Sequence, residues 1–144
     1  MIVLADALRR RIAEAAEAAY PEECCGLLVG RRHASGAILV EAVEPSPNVA
    51  ADRRAGFEVD PALRLRLQRT LRAEDRAIVG LYHSHPDGPA EPSVRDLESA
   101  WEPDLAWLIV GMAQGRATRT AAFALTGAEA PRFVAIAIAA EAPE

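Results

Sequence analysis

The run Ala77-Ile78-Val79-Gly80-Leu81-Tyr82-His83-Ser84-His85-Pro86 starts as an apolar strand and ends in polar residues that a buried strand rarely carries. Pro86 stops it. Two of the chain's three histidines, His83 and His85, stand one residue apart at its end. Alternate residues of a strand point to one face, about 6.6 Å apart at two rises of about 3.3 Å. That spacing lets two imidazoles close on one metal ion. Asp96 follows after a short loop. Two His and one Asp leave the fourth position of a tetrahedral zinc open for water, which separates a catalytic site from a structural one.

Working outward, residues 6–20 carry Leu8, Ile12, Ala15, Ala16 and Ala19 at helical spacing, with Asp6 as N-cap and Pro21 as the stop. Cys25 to Gly30 and Ala37 to Val43 read as strands joined by a hairpin turn over Arg31 to Gly36. Pro45 to Gly56 reads as a loop, and Phe57 to Val59 as a short extended piece. Asp60-Pro61 is an N-cap followed by Pro at the first helical position. Leu63, Leu67 and Leu71 give residues 61–73 one apolar stripe. Asp87 to Pro92 is a loop and Ser93 to Trp101 a short helix. Leu105 to Met112, Thr118 to Leu125 and Arg132 to Ala139 are three further strands. This order mixes hairpins with helical crossovers. It predicts an α+β (mixed α/β) fold, with a central mixed sheet of about six strands flanked by helices.

The length of 144 residues suits one domain, residues 1–144, without repeats or linkers. A chain of this size buries close to ~70% of its unfolded surface, so its core needs neither metal nor disulfide. The net charge is −5, and no basic stripe with interleaved aromatics supports nucleic-acid binding. Arg9, Arg10 and Arg11 fall on the solvated side of a predicted helix. The apolar runs Leu105 to Met112 and Phe133 to Ala140 are far shorter than the ~20 residues of a membrane helix. Met1 to Ala5 is too short for a signal peptide. The expectation is a cytoplasmic protein with no membrane partner. Adjacent Cys24 and Cys25 are read as reduced thiols, because neighbouring cysteines rarely bridge each other. The oligomeric state is not legible.

The chemistry-bearing residues each admit two readings. His-x-His alone fits a metal pair, or one surface and one core histidine. Ser93-x-x-Asp96 opens a predicted helix as a capping box would, yet Asp96 can turn its carboxylate inward and Ser93 can offer its hydroxyl to the same cavity. Glu23 precedes a buried strand, where a carboxylate is costly unless solvated or paired. It is either a turn residue, like Glu22, or a general base. His33 reads as surface, Trp101 and Trp107 as core, and Cys24 and Cys25 as packing residues. Asp87 and Glu91 are alternative ligands or ordinary turn residues.

Taken together, these residues resemble the JAMM (MPN+, Mov34/PAD-1-like, M67) zinc metallopeptidase family. His83-x-His85-Pro86, six residues, then Ser93-x-x-Asp96 matches its signature without a gap. The family also places a glutamate three residues before a small residue at the start of its first core strand, which here is Glu23-Cys24-Cys25-Gly26. Pro21 to Leu28, Asn48, Phe57 to Pro61 and Gly80 to Pro86 resemble compact bacterial members. The resemblance implies a curved, cytidine-deaminase-like sheet and one Zn²⁺ held by His83, His85 and Asp96. It implies Glu23 as the base toward water whose pKa zinc lowers from 15.7 to near ~7, and Ser93 as donor to the oxyanion. Each neutral His ligand must donate its other ring N–H to some partner.

The resemblance further implies hydrolysis of an amide bond after the C-terminal Gly-Gly of a ubiquitin-like protein. The chain lacks the insertions with which deubiquitinating members grip ubiquitin. It is similar to compact bacterial members linked to sulfur carriers of the ThiS/MoaD type, which release cysteine or trim the tail. The rivals are a non-catalytic scaffold of the same fold and a general or cell-wall-directed zinc metallopeptidase. Intact ligands and glutamate speak against the first, and the lack of a wall-binding module against the second.

Overall fold

Among the described residues of the computed structural model (1–100, 102–127 and 129–142), eight strands form one mixed sheet. In chain order the elements are β1 (Ile2–Val3), α1 (Asp6–Ala19), β2 (Cys25–Arg32), β3 (Ile38–Ser46), α2 (Pro61–Leu71), β4 (Ala77–His85) and α3 (Val94–Ser99). The chain continues with β5 (Ala106–Ala113), β6 (Arg116–Thr126), β7 (Arg132–Ile136) and β8 (Ile138–Ala139). The sheet order is β7-β6-β5-β4-β2-β3-β1-β8. Pairs β1–β3, β1–β8 and β4–β5 are parallel and the rest antiparallel. This is the expected α+β class.

The two outermost strands are consecutive in sequence. One residue, Ala137, separates β7 from β8, and its carbonyl accepts from Ile2 N at 2.9 Å. The curved sheet therefore nearly closes on itself. The predicted six strands become eight for two reasons. Arg132 to Ala139 breaks at Ala137, and a two-residue strand such as β1 carries no period to read.

Strand alternation sorts the core into two faces. Leu28, Tyr82, Leu108 and Val110 face α1 and its buried Ile12 and Ala16. Trp107, Ile109, Phe123 and Leu125 face the other way, with Leu81 and Phe57 packed against them. Gly26 makes this possible, because a Cβ there would stand 2.3 Å from the Tyr82 ring. Apolar runs at β2, β4 and β5 thus reflect strands covered on both faces.

Several boundaries differ from expectation. The N-cap of α1 is Ala5 without a side-chain cap bond, so Asp6 lies in the first turn instead. β3 runs to Ser46 and includes Pro45, which is tolerated because β1 pairs β3 only at Ile38 and Leu39. The N-cap at Asp60 is as predicted, with its side chain accepting from Ala62 N at 3.0 Å. Trp101 lies outside the described residues. No described helix is long and apolar enough to cross a membrane.

Candidate metal centre and active site

β2 and β4 run antiparallel with Cys25 opposite His83. The start of β2 and the end of β4 therefore meet, which carries Glu23 to the histidines across sixty positions of sequence. Ser84, between the histidines, points to the opposite face. Its Oγ accepts from Cys24 N at 2.8 Å while its own N donates to Cys24 O at 3.2 Å. This buried serine locks the two strand ends together. Its signal was its place between two same-face histidines, where strand alternation turns it to the opposite side.

His83 is fully buried. Its ring stacks on Phe57 at 4.2 Å and 18°, and meets Trp107 edge-on at 5.5 Å and 88°. Its Nε2 lies 3.0 Å from His85 Nε2 and 3.1 Å from Asp96 Oδ1. His85 Nε2 lies 3.0 Å from Asp96 Oδ2. His85 Nδ1 faces the Pro89 carbonyl at 3.0 Å. A carbonyl only accepts, so Nδ1 carries the proton and Nε2 of the neutral ring presents its lone pair. His83 departs from the expected pattern, since its Nδ1 has no hydrogen-bond partner among the described residues. Aromatic walls hold this ring instead.

Ser93-x-x-Asp96 forms the capping box, and the same turn brings the Asp96 carboxylate to the histidines. Ser93 is the N-cap of α3, its Oγ accepting from Asp96 N at 3.0 Å, and Ser93 N donates to Asp96 Oδ2 at 2.9 Å. That capping box aims the buried Asp96 carboxylate at the histidines. Ser93 is exposed, and with its oxygen accepting from Asp96 N, its hydroxyl hydrogen has no acceptor among the described residues and can donate.

Glu23 is 7% exposed, and its Oε1 has no partner among the described residues. Its carboxylate and the two histidine rings each offer an atom within 4.8 Å of the others. Asp96 oxygens lie 3.0 and 3.1 Å from the two ring nitrogens, so two carboxylates stand beside the histidine pair. The Glu23 backbone is fixed by Glu23 N donating to Arg53 O at 2.7 Å and Asn48 Nδ2 donating to Glu23 O at 3.0 Å. Asn48 Nδ2 also donates to Gly56 O, and its Oδ1 accepts from Ala50 N and Glu58 N. Asn48 therefore ties the 48–58 loop, and with it Phe57, to the glutamate. No local pattern in the sequence assigns Asn48 a role. Its only signal was an Asn inside a Pro-containing loop.

The electrostatics follow from burial and proximity. Burial pushes the Glu23 carboxyl up to about 7, with His85 and Arg95 opposing and Asp96 and Asp52 adding to the rise. Burial lowers His83 despite Asp96. At His85 burial also lowers, but Asp96 and the Pro89 carbonyl outweigh it and the net shift is upward. Burial would raise Asp96, yet hydrogen bonds from His83 and His85 hold it well below the usual carboxylate range. Asp96 is thus an anion facing two imidazole nitrogens. Lone pairs and negative charge crowded within about 3 Å repel one another unless a cation or proton lies among them. The donor set, two imidazoles and a carboxylate with a second carboxylate beside it, suits a divalent metal ion.

The other candidates are accounted for. Asp87 accepts from the Tyr20 hydroxyl at 2.5 Å and from Gln114 N at 3.0 Å, and Glu91 is exposed. Glu22 pairs with Arg53 at 3.0 Å, and exposed His33 bonds Ser35. Trp107 is core. Cys24 and Cys25 are buried free thiols, with burial raising Cys24 and pushing Cys25 up to about 12, so neither is a ready nucleophile.

Comparison with known proteins shows the class to which this arrangement belongs. The family described as prokaryotic homologs of the JAB domain matches residues 5–125, and the chain belongs to it. Desampylase of Haloferax volcanii is 36% identical over 104 residues, 72% of this chain and 73% of that protein. The CysO-cysteine peptidase of Mycobacterium tuberculosis is 32% identical over 111 residues, 76% of this chain and 72% of that protein. A solution structure of a Desulfitobacterium hafniense protein superposes with a TM-score of 0.80 at 30% identity, covering 98% of this chain and 94% of that one. The chain is accordingly a peptidase of the JAMM type.

Proposed function

We propose that residues 1–144 act as one zinc metallopeptidase domain that hydrolyses the amide bond after the C-terminal Gly-Gly of a ubiquitin-like sulfur carrier of the ThiS/MoaD kind. The observation that carries this reading is the convergence of His83 Nε2, His85 Nε2 and the Asp96 carboxylate within about 3 Å, beside a buried Glu23 whose Oε1 has no partner among the described residues. In this reading His83, His85 and Asp96 hold one Zn²⁺ per chain. Bound there, zinc supplies Lewis-acid polarisation of the scissile carbonyl and acidifies a water. Glu23, raised to about 7, is suited to take the water's proton and pass it to the departing amine. The free Ser93 hydroxyl hydrogen donates to the oxygen that gains charge. Asn48 holds the Glu23 backbone, and Phe57 and Trp107 keep water from the back of His83.

The relatives' names support the substrate class, one being a desampylase and another a CysO-cysteine peptidase. A cytoplasmic setting belongs to the same reading. The test is zinc content measured beside cleavage of a carrier extended past its Gly-Gly. Glu23→Gln is expected to keep zinc and lose at least about 100-fold in turnover. His83→Ala is expected to lose both. Full activity in Glu23→Gln would remove the general-base assignment.

A further inference from the structure

A cavity of about 220 Å³ opens directly beside Asp96 and is lined by Arg95, Asp96, Gly56, Phe57, Asp52 and Ser99 among others. Three of these bear on chemistry. Asp96 belongs to the candidate metal site. Asp52 is a second carboxylate. Arg95 is the cation of the cavity. Its Nη1 donates to Ala55 O at 2.5 Å, and its stem lies over Gly56, where a Cβ would stand 3.4 Å from Cδ. Arg95 makes no ion pair among the described residues. A guanidinium carries five N–H donors in a planar fork. One is used on Ala55, so a forked face is left for a carboxylate.

This placement matters because the site is otherwise anionic. Asp96 and Asp52 both line the cavity, and Glu23 lies close to the histidines that Asp96 faces. A leaving residue with a free α-carboxylate would be repelled there unless a cation met it. A single leaving residue also sets its carboxylate only about one Cα–Cα step, ~3.8 Å, past the scissile bond. Arg95 precedes Asp96 in α3 and lines the same cavity. The cavity volume suits one small amino acid, several times the ~30 Å³ share of a water molecule.

We infer that Arg95 binds the α-carboxylate of the residue released from the Gly-Gly end. The chain thereby favours tails extended by one small residue with a free carboxylate over tails joined by isopeptide bonds to a lysine. In the reaction the C–N bond after the second glycine breaks. The hydroxyl of water joins the glycyl carbonyl carbon, its proton goes to the departing nitrogen, and the free amino acid leaves with its carboxylate on Arg95. This inference rests on the proposed peptidase reading and names the leaving group for the same site.

The experiment compares two substrates with the zinc-loaded full chain. One is a ThiS-type carrier ending Gly-Gly-Ala with a free carboxylate, and the other is the same carrier ending in the alanine carboxamide. The parent is expected to prefer the acid in kcat/KM by at least about tenfold. Arg95→Gln is expected to bring the acid-to-amide ratio near one, and Arg95→Lys to restore part of it. A parent ratio near one overturns the inference and leaves the peptidase reading standing. Equal slowing of both substrates in Arg95→Gln, with the ratio kept, also overturns it, since Arg95 would then only clamp Ala55. If the zinc-loaded parent cleaves neither substrate, the peptidase reading itself fails and takes the inference with it.

Discussion

Glu23 shows how far one side chain is shaped by its surroundings. A carboxyl with 7% exposure, its Oε1 without a partner among the described residues, is costly to ionise, and burial pushes it from 4.5 up to about 7. In the metal-free protein the folded-state value therefore lies above the unfolded one. The native state holds its proton longer, so the stability this group contributes is complete below pH 4.5 and is lost as pH rises toward about 7. Glu23→Gln cannot ionise and keeps that stability. In chelated protein the variant is expected to gain on the parent between pH 4.5 and 7, reaching on the order of 2–3 kcal/mol, with no further change above. Urea unfolding of both proteins from pH 4.5 to 8 reads this directly. A stability difference that does not vary with pH would show that Glu23 ionises as freely in the folded chain as in the unfolded one.

At the scale of elements, the loop of residues 48–58 places the glutamate. Asn48 makes four hydrogen bonds that join Glu23 O, Gly56 O, Ala50 N and Glu58 N. Asn48→Ala removes all of them, at about 0.5–1.5 kcal/mol net for each bond, with water recovering part of the loss at the exposed groups. The expected destabilisation is about 2–3 kcal/mol. Because Asn48 ties Glu23 to the loop that carries Phe57, turnover at saturating zinc is expected to fall about tenfold or more. Denaturation midpoints and zinc-saturated kinetics test this together. An unchanged midpoint would mean that the loop is held by its backbone alone. The sequence was informative where structure is local. Strand β4, the Asp60-Pro61 start of α2 and the Ser93/Asp96 box all lie within a few residues of the signals that predict them. The nearness of Glu23 to His83 was not local, and it came from family resemblance rather than periodicity. Ser84 and Asn48 were missed as determinants because each acts through bonds to distant segments, Ser84 across sixty residues to Cys24 and Asn48 across twenty-five to Glu23.

For the molecule as a whole, the consequential feature is that the two ends of the sheet are joined. β7 covers the outer side of β6 with five residues, and β8 pairs Ile138 and Ala139 with Ile2 and Val3 of β1. β7 also supports the site from behind. Phe133 meets Trp107 at 5.1 Å, and Trp107 meets His83 at 5.5 Å, so the closing strand buttresses the ring that buttresses the histidine. A chain ending at Pro131 would lose the partly buried Phe133, Ile136 and Ile138 and free the backbone edges of β6 and β1. Complete burial of such a side chain contributes about 1.5–3 kcal/mol, so three partly buried ones contribute about 3 kcal/mol together. That corresponds to roughly 10 °C in Tm for a chain of this size. The bared edges present unpaired N–H and C=O groups, which template pairing between chains. Truncation is therefore expected to lower Tm by roughly that amount and to drive association, read by thermal unfolding and light scattering at several concentrations. A truncated chain that melts with the parent and whose scattering mass stays at the parent's value at every concentration would show that β1 to β6 are sufficient and that closure of the sheet is incidental to stability.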